Sequence, residues 1–270
     1  MSIKKIIIGL LLSLLLGSGL AVAADFNKGL EAAQSGDYQT ALAEWTPLAE
    51  QGDSNAQYSL GVVHQNGYGI PENDKTAVKW YTLSAEQGFA SAQFNLGVMY
   101  DGGEGVLEND KTAVKWYTKA AGQGYARAQF NLGVMYSDGL GVPENDKTAV
   151  KWYTKAAEQG LVEAQYNLGL MYDKGEGVLE NDKTAVKWYT KAAGQGYAKA
   201  QPNLGLMYEY GKGVLTDNRR AYMWYNIGSY NGNELGGENK NIIAKQMTPA
   251  DISKAQDMSS RCLESNYTDC

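Results

Sequence analysis

Apolar and polar positions along most of this chain recur with a period of 36 residues, and inside each period they follow helical rather than strand spacing. The string ENDKTAVKWYT occurs unchanged at Glu72, Glu108, Glu144 and Glu180. A second string keeps step with it: AQYSLGVVH at Ala56, AQFNLGVMY at Ala92 and Ala128, AQYNLGLMY at Ala164 and AQPNLGLMY at Ala200. Trp80, Trp116, Trp152, Trp188 and Trp224 therefore form one column. A fixed period of this length marks a solenoid, in which each unit buries its apolar face only against its neighbours.

Each period predicts two helices. In the first, Ala92, Leu96, Met99 and Tyr100 share one stripe of a 3.6-residue helix. Gly97 lies inside that helix at a cost of about 1 kcal/mol against Ala, which close approach of another element would offset. In the second, Ala113, Trp116, Tyr117, Ala120 and Ala121 form the apolar face, Lys111, Lys115 and Lys119 fall outside it, and Asn109 or Asp110 is placed to cap the start. Between them runs a G-x-G-[VI] loop, such as Gly103-Glu104-Gly105-Val106, whose first Gly suits the left-handed conformation that ends a helix. Burying one Trp is worth at most roughly 4 to 6 kcal/mol of transfer energy, so the Trp column reads first as core.

The flanks are variations on the same theme. Phe26, Gly29, Leu30 and Ala33 form a short amphipathic segment before Tyr38–Gln51, where Trp45 aligns with Tyr81, a divergent capping repeat over 24–52. Five full units follow at about 53–88, 89–124, 125–160, 161–196 and 197–232, and capping helices with a cysteine-bearing tail occupy 233–270. Thr248-Pro249-Ala250-Asp251 reads as a helix start, with Ile252, Ala255, Ser259, Cys262 and Leu263 on one face of the helix it opens. Pro202 replaces the aromatic of other units and predicts a break or delayed start there.

The AQxNLGxMY helix, the GxGV loop and the KWYTKAAEQG helix together resemble the Sel-1-like repeat, a relative of the tetratricopeptide repeat, over about 180 residues from Asp53 to about Gly232. The resemblance implies an all-α, α/α superhelical solenoid whose first helices line the concave side, and a role as an adaptor that assembles other proteins. Some cysteine-rich members have been linked to penicillin binding or β-lactamase activity. They carry a Cys pair in nearly every repeat, and this chain has none in any of them.

The chain start changes the picture of where the protein works. Lys4 and Lys5 precede an apolar run from Ile6 to Leu16, then small residues ending in Ala21-Val22-Ala23, the pattern of a secretory signal peptide over residues 1–23. The alternative is an uncleaved anchor. Cleavage leaves 22 basic against 30 acidic side chains, a charge of −8, and no membrane span. The chain is then expected in a bacterial periplasm or medium. Acidity argues against nucleic acid, which selects a basic stripe. Cys262 and Cys270, eight apart in an exported chain, read as a disulfide rather than a redox pair, which would more typically be C-x-x-C.

Candidate chemistry is sparse. The single His, His64, stands in a Tyr column, the only S-x-x-K lies at Ser2–Lys5, no K-T-G is present, and the GxG loops lack the context of a phosphate or dinucleotide site. No catalytic residue, metal or cofactor is expected. The functional stripe is instead the other face of the first helix: Ser91, Phe94, Val98 and Asp101, then Arg127, Phe130, Val134 and Ser137, then Glu163, Tyr166, Leu170 and Asp173. By the resemblance it faces the concave groove, where Phe94, Val98, Phe130, Val134, Tyr166 and Leu170 would hold an extended protein or peptide partner, with Arg127 and Glu163 at the edge. Two alternatives stay open. These rings are buried between units, or the protein is a cell-wall-associated enzyme or glycan-binding protein acting on a cell-wall component.

Overall fold

The structure, a computed structural model, describes residues 24–270. The signal peptide expected over residues 1–23 lies outside the described residues. Among the described residues there are fourteen helices and no strand, and none of the helices is long and apolar enough to cross a membrane. The described residues divide into two compact units, one ending at Leu83 and the other covering Ser84–Cys270, and within each the helices pack in consecutive pairs as in a solenoid.

The first unit holds α1 (Phe26–Gln34), α2 (Tyr38–Glu50), α3 (Ser54–Asn66) and the start of α4 (Asp74–Glu86). Its first three helices begin on Asp25, Asp37 and Asp53, whose carboxylates accept backbone N–H groups of the first turn. Ala41, Trp45, Ala49, Ala56, Leu60 and Val63 make the core, with Trp80 packed against it. Gly29 sits beneath the Trp45 ring as Gly61 sits beneath Tyr81, so the divergent N-terminal pair keeps the packing of a full unit.

In the second unit, first helices α5 (Ala90–Gly102), α7 (Ala126–Asp138), α9 (Val162–Lys174) and α11 (Ala200–Tyr210) alternate with second helices α6 (Asp110–Gly122), α8 (Asp146–Glu158), α10 (Asp182–Ala193) and α12 (Asn218–Tyr230). The residues predicted for the core are there: Ala92, Leu96 and Met99 on α5 and Ala113, Trp116, Tyr117, Ala120 and Ala121 on α6 are all buried. Asn109, Asn145 and Asn181 cap the second helices by accepting N–H groups three residues on. Gly103, Gly139, Gly175 and Gly211 end the first helices with φ between 68° and 74°. Pro202 delays α11, which starts at Ala200 where α9 and α7 start two residues earlier in register, because its ring nitrogen cannot donate within a helix.

Two devices lock neighbouring pairs in this unit. Each Trp after the first closes the core of the pair before it: Trp152 packs on the cluster of Ala113, Tyr117 and Leu132, and Trp188 on that of Ala149, Tyr153 and Leu168. The second Gly of the loops after α7, α9 and α11 presses on the first turn of the preceding second helix. A β-carbon on Gly141 would lie 2.5 Å from the Asp110 carbonyl carbon, and one on Gly213 would lie 2.6 Å from the Lys183 nitrogen. Only a residue without a side chain fits that approach.

The unit ends with α13 (Glu234–Ala244) and α14 (Pro249–Glu264), the latter packed on α12. Thr248 Oγ1 accepts the Asp251 N–H at 3.2 Å, the expected cap with Pro249 at the first helical position. Ala255, Ser259 and Cys262 face the core, and Cys262 is joined to Cys270 by a disulfide across a Cα separation of 4.7 Å.

Candidate functional site

The stripe opposite the core of the first helices runs along α5, α7 and α9 of the second unit. Phe94, Phe130 and Tyr166 occupy the same place on successive helices, and all three are half-buried, as are Val98, Val134 and Leu170. Each ring leans on the buried Tyr of its own pair: Phe94 on Tyr117 at 6.0 Å between centroids, Phe130 on Tyr153 at 5.7 Å and Tyr166 on Tyr189 at 6.1 Å. Phe94 and Tyr166 also meet the ring that precedes the next first helix, Tyr125 at 5.1 Å and Tyr197 at 5.4 Å. One edge of each ring is thus fixed by packing, in tilted geometries favourable for aromatic pairs, and the remainder is open.

The polar edge differs between helices. Arg127 is exposed at the start of α7, and Glu163 is half-buried at the start of α9 with its Oε2 buried and unpartnered. Burial raises the phenol pKa of the neighbouring Tyr197, and the Glu163 charge adds to the rise. At the other end of the stripe, Asp101 and Asp173 accept hydrogen bonds from Tyr117 and Tyr189 at 3.1 and 3.2 Å. Lys212 reaches Asp173 at 3.4 Å. Burial also pushes the Tyr153 phenol up to about 12. These tyrosines stay neutral, Tyr117 and Tyr189 donate, and none supplies acid–base chemistry near neutral pH.

A buried amide ladder positions the stripe, and hydrophobic patterning did not reveal it. Gln93, Gln129, Gln165 and Gln201, next to the core alanines of the first helices, are almost fully buried. Gln129 Nε2 donates to the Ala121 carbonyl at 3.2 Å, and its Oε1 accepts from Gln159 at 2.7 Å. Gln93 and Gln165 repeat the arrangement with Gln123 and Gln195, and Asn231 takes the last place opposite Gln201. Each buried amide thereby joins three helices, with its Nε2 donating and its Oε1 accepting.

His64, on α3 of the first unit, is half-buried with an unpartnered Nδ1, and burial lowers its pKa. No carboxylate or nucleophile is hydrogen-bonded to it among the described residues. Nor does any group of three or more His, Cys, Asp or Glu residues there have the geometry to hold a metal ion. On the second helices α6, α8 and α10, lysines lie over the tryptophan column, Lys119 at 4.3 Å from the Trp116 ring, Lys155 at 4.5 Å from Trp152 and Lys191 at 4.6 Å from Trp188.

The Sel1 repeat family model matches residues 54–89, 90–125, 126–161, 162–197 and 198–233. Among solved structures, the chain is similar to a protective antigen of uropathogenic Escherichia coli strains displaying an SLR fold, with 36% identity and a TM-score of 0.82 over 92% of this chain. It spans 56% of that protein's length. It is also similar to a Sel1 repeat protein from Oxalobacter formigenes, at 38% identity and a TM-score of 0.74, over 77% of this chain and 86% of the other. No curated protein matches significantly. Five matched repeats and two solved relatives more than 30% identical show that the chain belongs to the Sel1 repeat family.

Proposed function

We propose that this protein is an exported bacterial adaptor without catalytic activity of its own, which holds an extended segment of a partner protein along the groove lined by Phe94, Phe130 and Tyr166. Sel1 repeats are helical scaffolds typical of protein–protein interaction, and that class of function is the starting point. The single observation that carries the finer reading is the half-buried state of the three rings at intervals of 36 residues. Each is held at one edge by a buried Tyr, so ring orientation is set before a partner arrives and little side-chain entropy is lost on binding. Arg127 and Glu163 differ where the rings do not, which suits them to select charge in the partner. Export is supported by the signal-like start and by the disulfide in the tail.

The test uses the mature protein as bait in native periplasm or medium. Replacing Phe94, Phe130 and Tyr166 together by Leu keeps an apolar contact for Tyr117, Tyr153 and Tyr189 and removes the aromatic ladder. Capture of a stoichiometric partner is expected to fall roughly tenfold or more. Arg127→Glu is expected to weaken capture more at low than at high salt. Undiminished capture by the folded triple variant would place the partner elsewhere. Intact mass of the exported protein, expected to begin at Ala24 or Asp25, tests the export half separately.

A further inference from the structure

The C-terminal tail roofs one cleft of the second unit. Thr190 and Gly194 of α10, Leu204 and Tyr208 of α11, and Arg220 and Trp224 of α12 form its floor and walls, with Tyr267, Thr268 and Cys270 closing over a cavity of about 390 Å³. Tyr267 is seated beside Gly196, whose β-carbon would come within 3.0 Å of the ring, and its hydroxyl exchanges hydrogen bonds with Asn231 at 2.9 and 3.2 Å. The disulfide to Cys262 holds the tail there.

Seventy-two residues earlier, two full periods, five of those six residues recur: Thr118, Gly122, Leu132, Tyr136 and Trp152, with Thr148 in place of Arg220. The seat of the tyrosine recurs as well, as Gly124 and the amide of Gln159. The glycine seat of this copy is open, although Lys155 lies over its Trp152. Gly122 is exposed and a β-carbon on it would meet nothing within 4 Å, and the same is true of Gly124. Beside that seat an open cavity of about 600 Å³ runs along α8, lined by Tyr136, Thr148, Val150, Lys151, Trp152, Thr154 and Lys155. The intervening copy, between α8 and α10, has Glu158 where these two clefts have Gly122 and Gly194.

We infer that the cleft between α6 and α8 is a second docking site, which takes an extended peptide of another protein that presents a tyrosine followed by a small hydroxylated residue, the chemistry of Tyr267-Thr268. The chain's own tail displays how such a segment sits in a cleft with these walls. The tyrosine ring lies on the glycine of the turn, its hydroxyl pairs with the amide at the end of the ladder, and Thr268 and Cys270 line the same cavity as Gly194 and Trp224. The occupant comes from a different polypeptide because each chain's own tail is fixed by its disulfide and its bonds to Asn231. The site uses none of the residues of the stripe on α5, α7 and α9, so it stands apart from the groove proposed above.

The probe is a synthetic peptide of residues 262–270, closed by its own disulfide and labelled at its N-terminus, titrated into the full mature protein while anisotropy is followed. One saturable site is expected, lost when the peptide carries Tyr267→Ala. In the protein, Gly122→Glu should weaken binding roughly tenfold or more without unfolding, since the chain already carries Glu at the matching end of α8. Glu158→Gly should raise the stoichiometry from one peptide to two. Absence of saturable binding at about millimolar peptide, an affinity unchanged by Gly122→Glu, or binding that requires release of the native tail would each overturn the inference.

Discussion

Gly97 and Tyr117 share one volume: a β-carbon on the glycine would come within 2.6 Å of the tyrosine's Cδ1. The same holds for Gly133 with Tyr153 and Gly169 with Tyr189, again at 2.6 Å. Helix propensity and packing therefore pull Gly97→Ala in opposite directions. Propensity alone would stabilise by about 1 kcal/mol, and overpacking against a fully buried ring costs about 1 to 3 kcal/mol. Packing wins, so a lower denaturation midpoint is expected, and Tyr117→Leu in the same chain should recover part of the loss. A stabilised Gly97→Ala protein would show that the ring moves freely.

The amide ladder makes a second prediction. Gln129→Leu removes the bonds to the Ala121 carbonyl, which keeps the Gly124 N–H at 3.0 Å, and to the exposed Gln159 amide, at a cost of about 1 to 1.5 kcal/mol. Gln159 is exposed, so Gln159→Ala should cost less, about 0.5 to 1 kcal/mol. A double-mutant cycle by chemical denaturation checks the coupling. Additive losses would mean that the two amides do not support each other.

The apolar faces, the loop Gly that ends each first helix and the effect of Pro202 were legible because each rests on local chemistry repeated in several copies. Gln129 was not, since a hydrophobic pattern assigns an amide to the surface. The signal that reveals it is its presence beside the core alanine in every copy, with a second amide thirty residues later. The state of Phe94 lay beyond reach for a different reason. Periodicity fixes the face of a helix, but how far Tyr117 and Tyr125 cover that face depends on the spacing between neighbouring helices.

The tryptophans tie one pair to the next, so stability should be a sum of unit and neighbour contributions. Trp116→Ala is expected to cost on the order of 3 to 5 kcal/mol through the cavity it leaves. Removing the whole period Asn109–Glu144 joins Glu108 to Asn145 and restores the same Glu-Asn junction, so that larger deletion should leave a folded, helix-rich protein. Circular dichroism melts of both variants decide the matter. An unfolded deletion beside a silent Trp116→Ala would contradict nearest-neighbour packing.

Alkali should expose the buried phenols. Tyr153 is held up to about 12, chiefly by burial, against an unfolded value near 10, so its contribution is complete below pH of about 10 and is lost as pH rises toward the folded value. Tyr117, Tyr189 and Tyr225 are shifted in the same direction for the same leading reason. A phenolate absorbance titration should separate tyrosines that ionise near pH of about 10 from a group that ionises only together with loss of helix. If all titrated together while helix persisted, the buried hydroxyls would have to be wet.

The contact of Gly141 with the first turn of α6 bears on inheritance. The glycine meets main-chain atoms of Asp110 and Lys111, which any sequence supplies, and it does so through a string repeated without change along the chain. A unit added or dropped by misaligned recombination within that string arrives with both of its joints already correct. Length in this protein is thus a quantity that natural variation can alter in whole steps, carrying the number of groove rings with it and leaving each joint as it was.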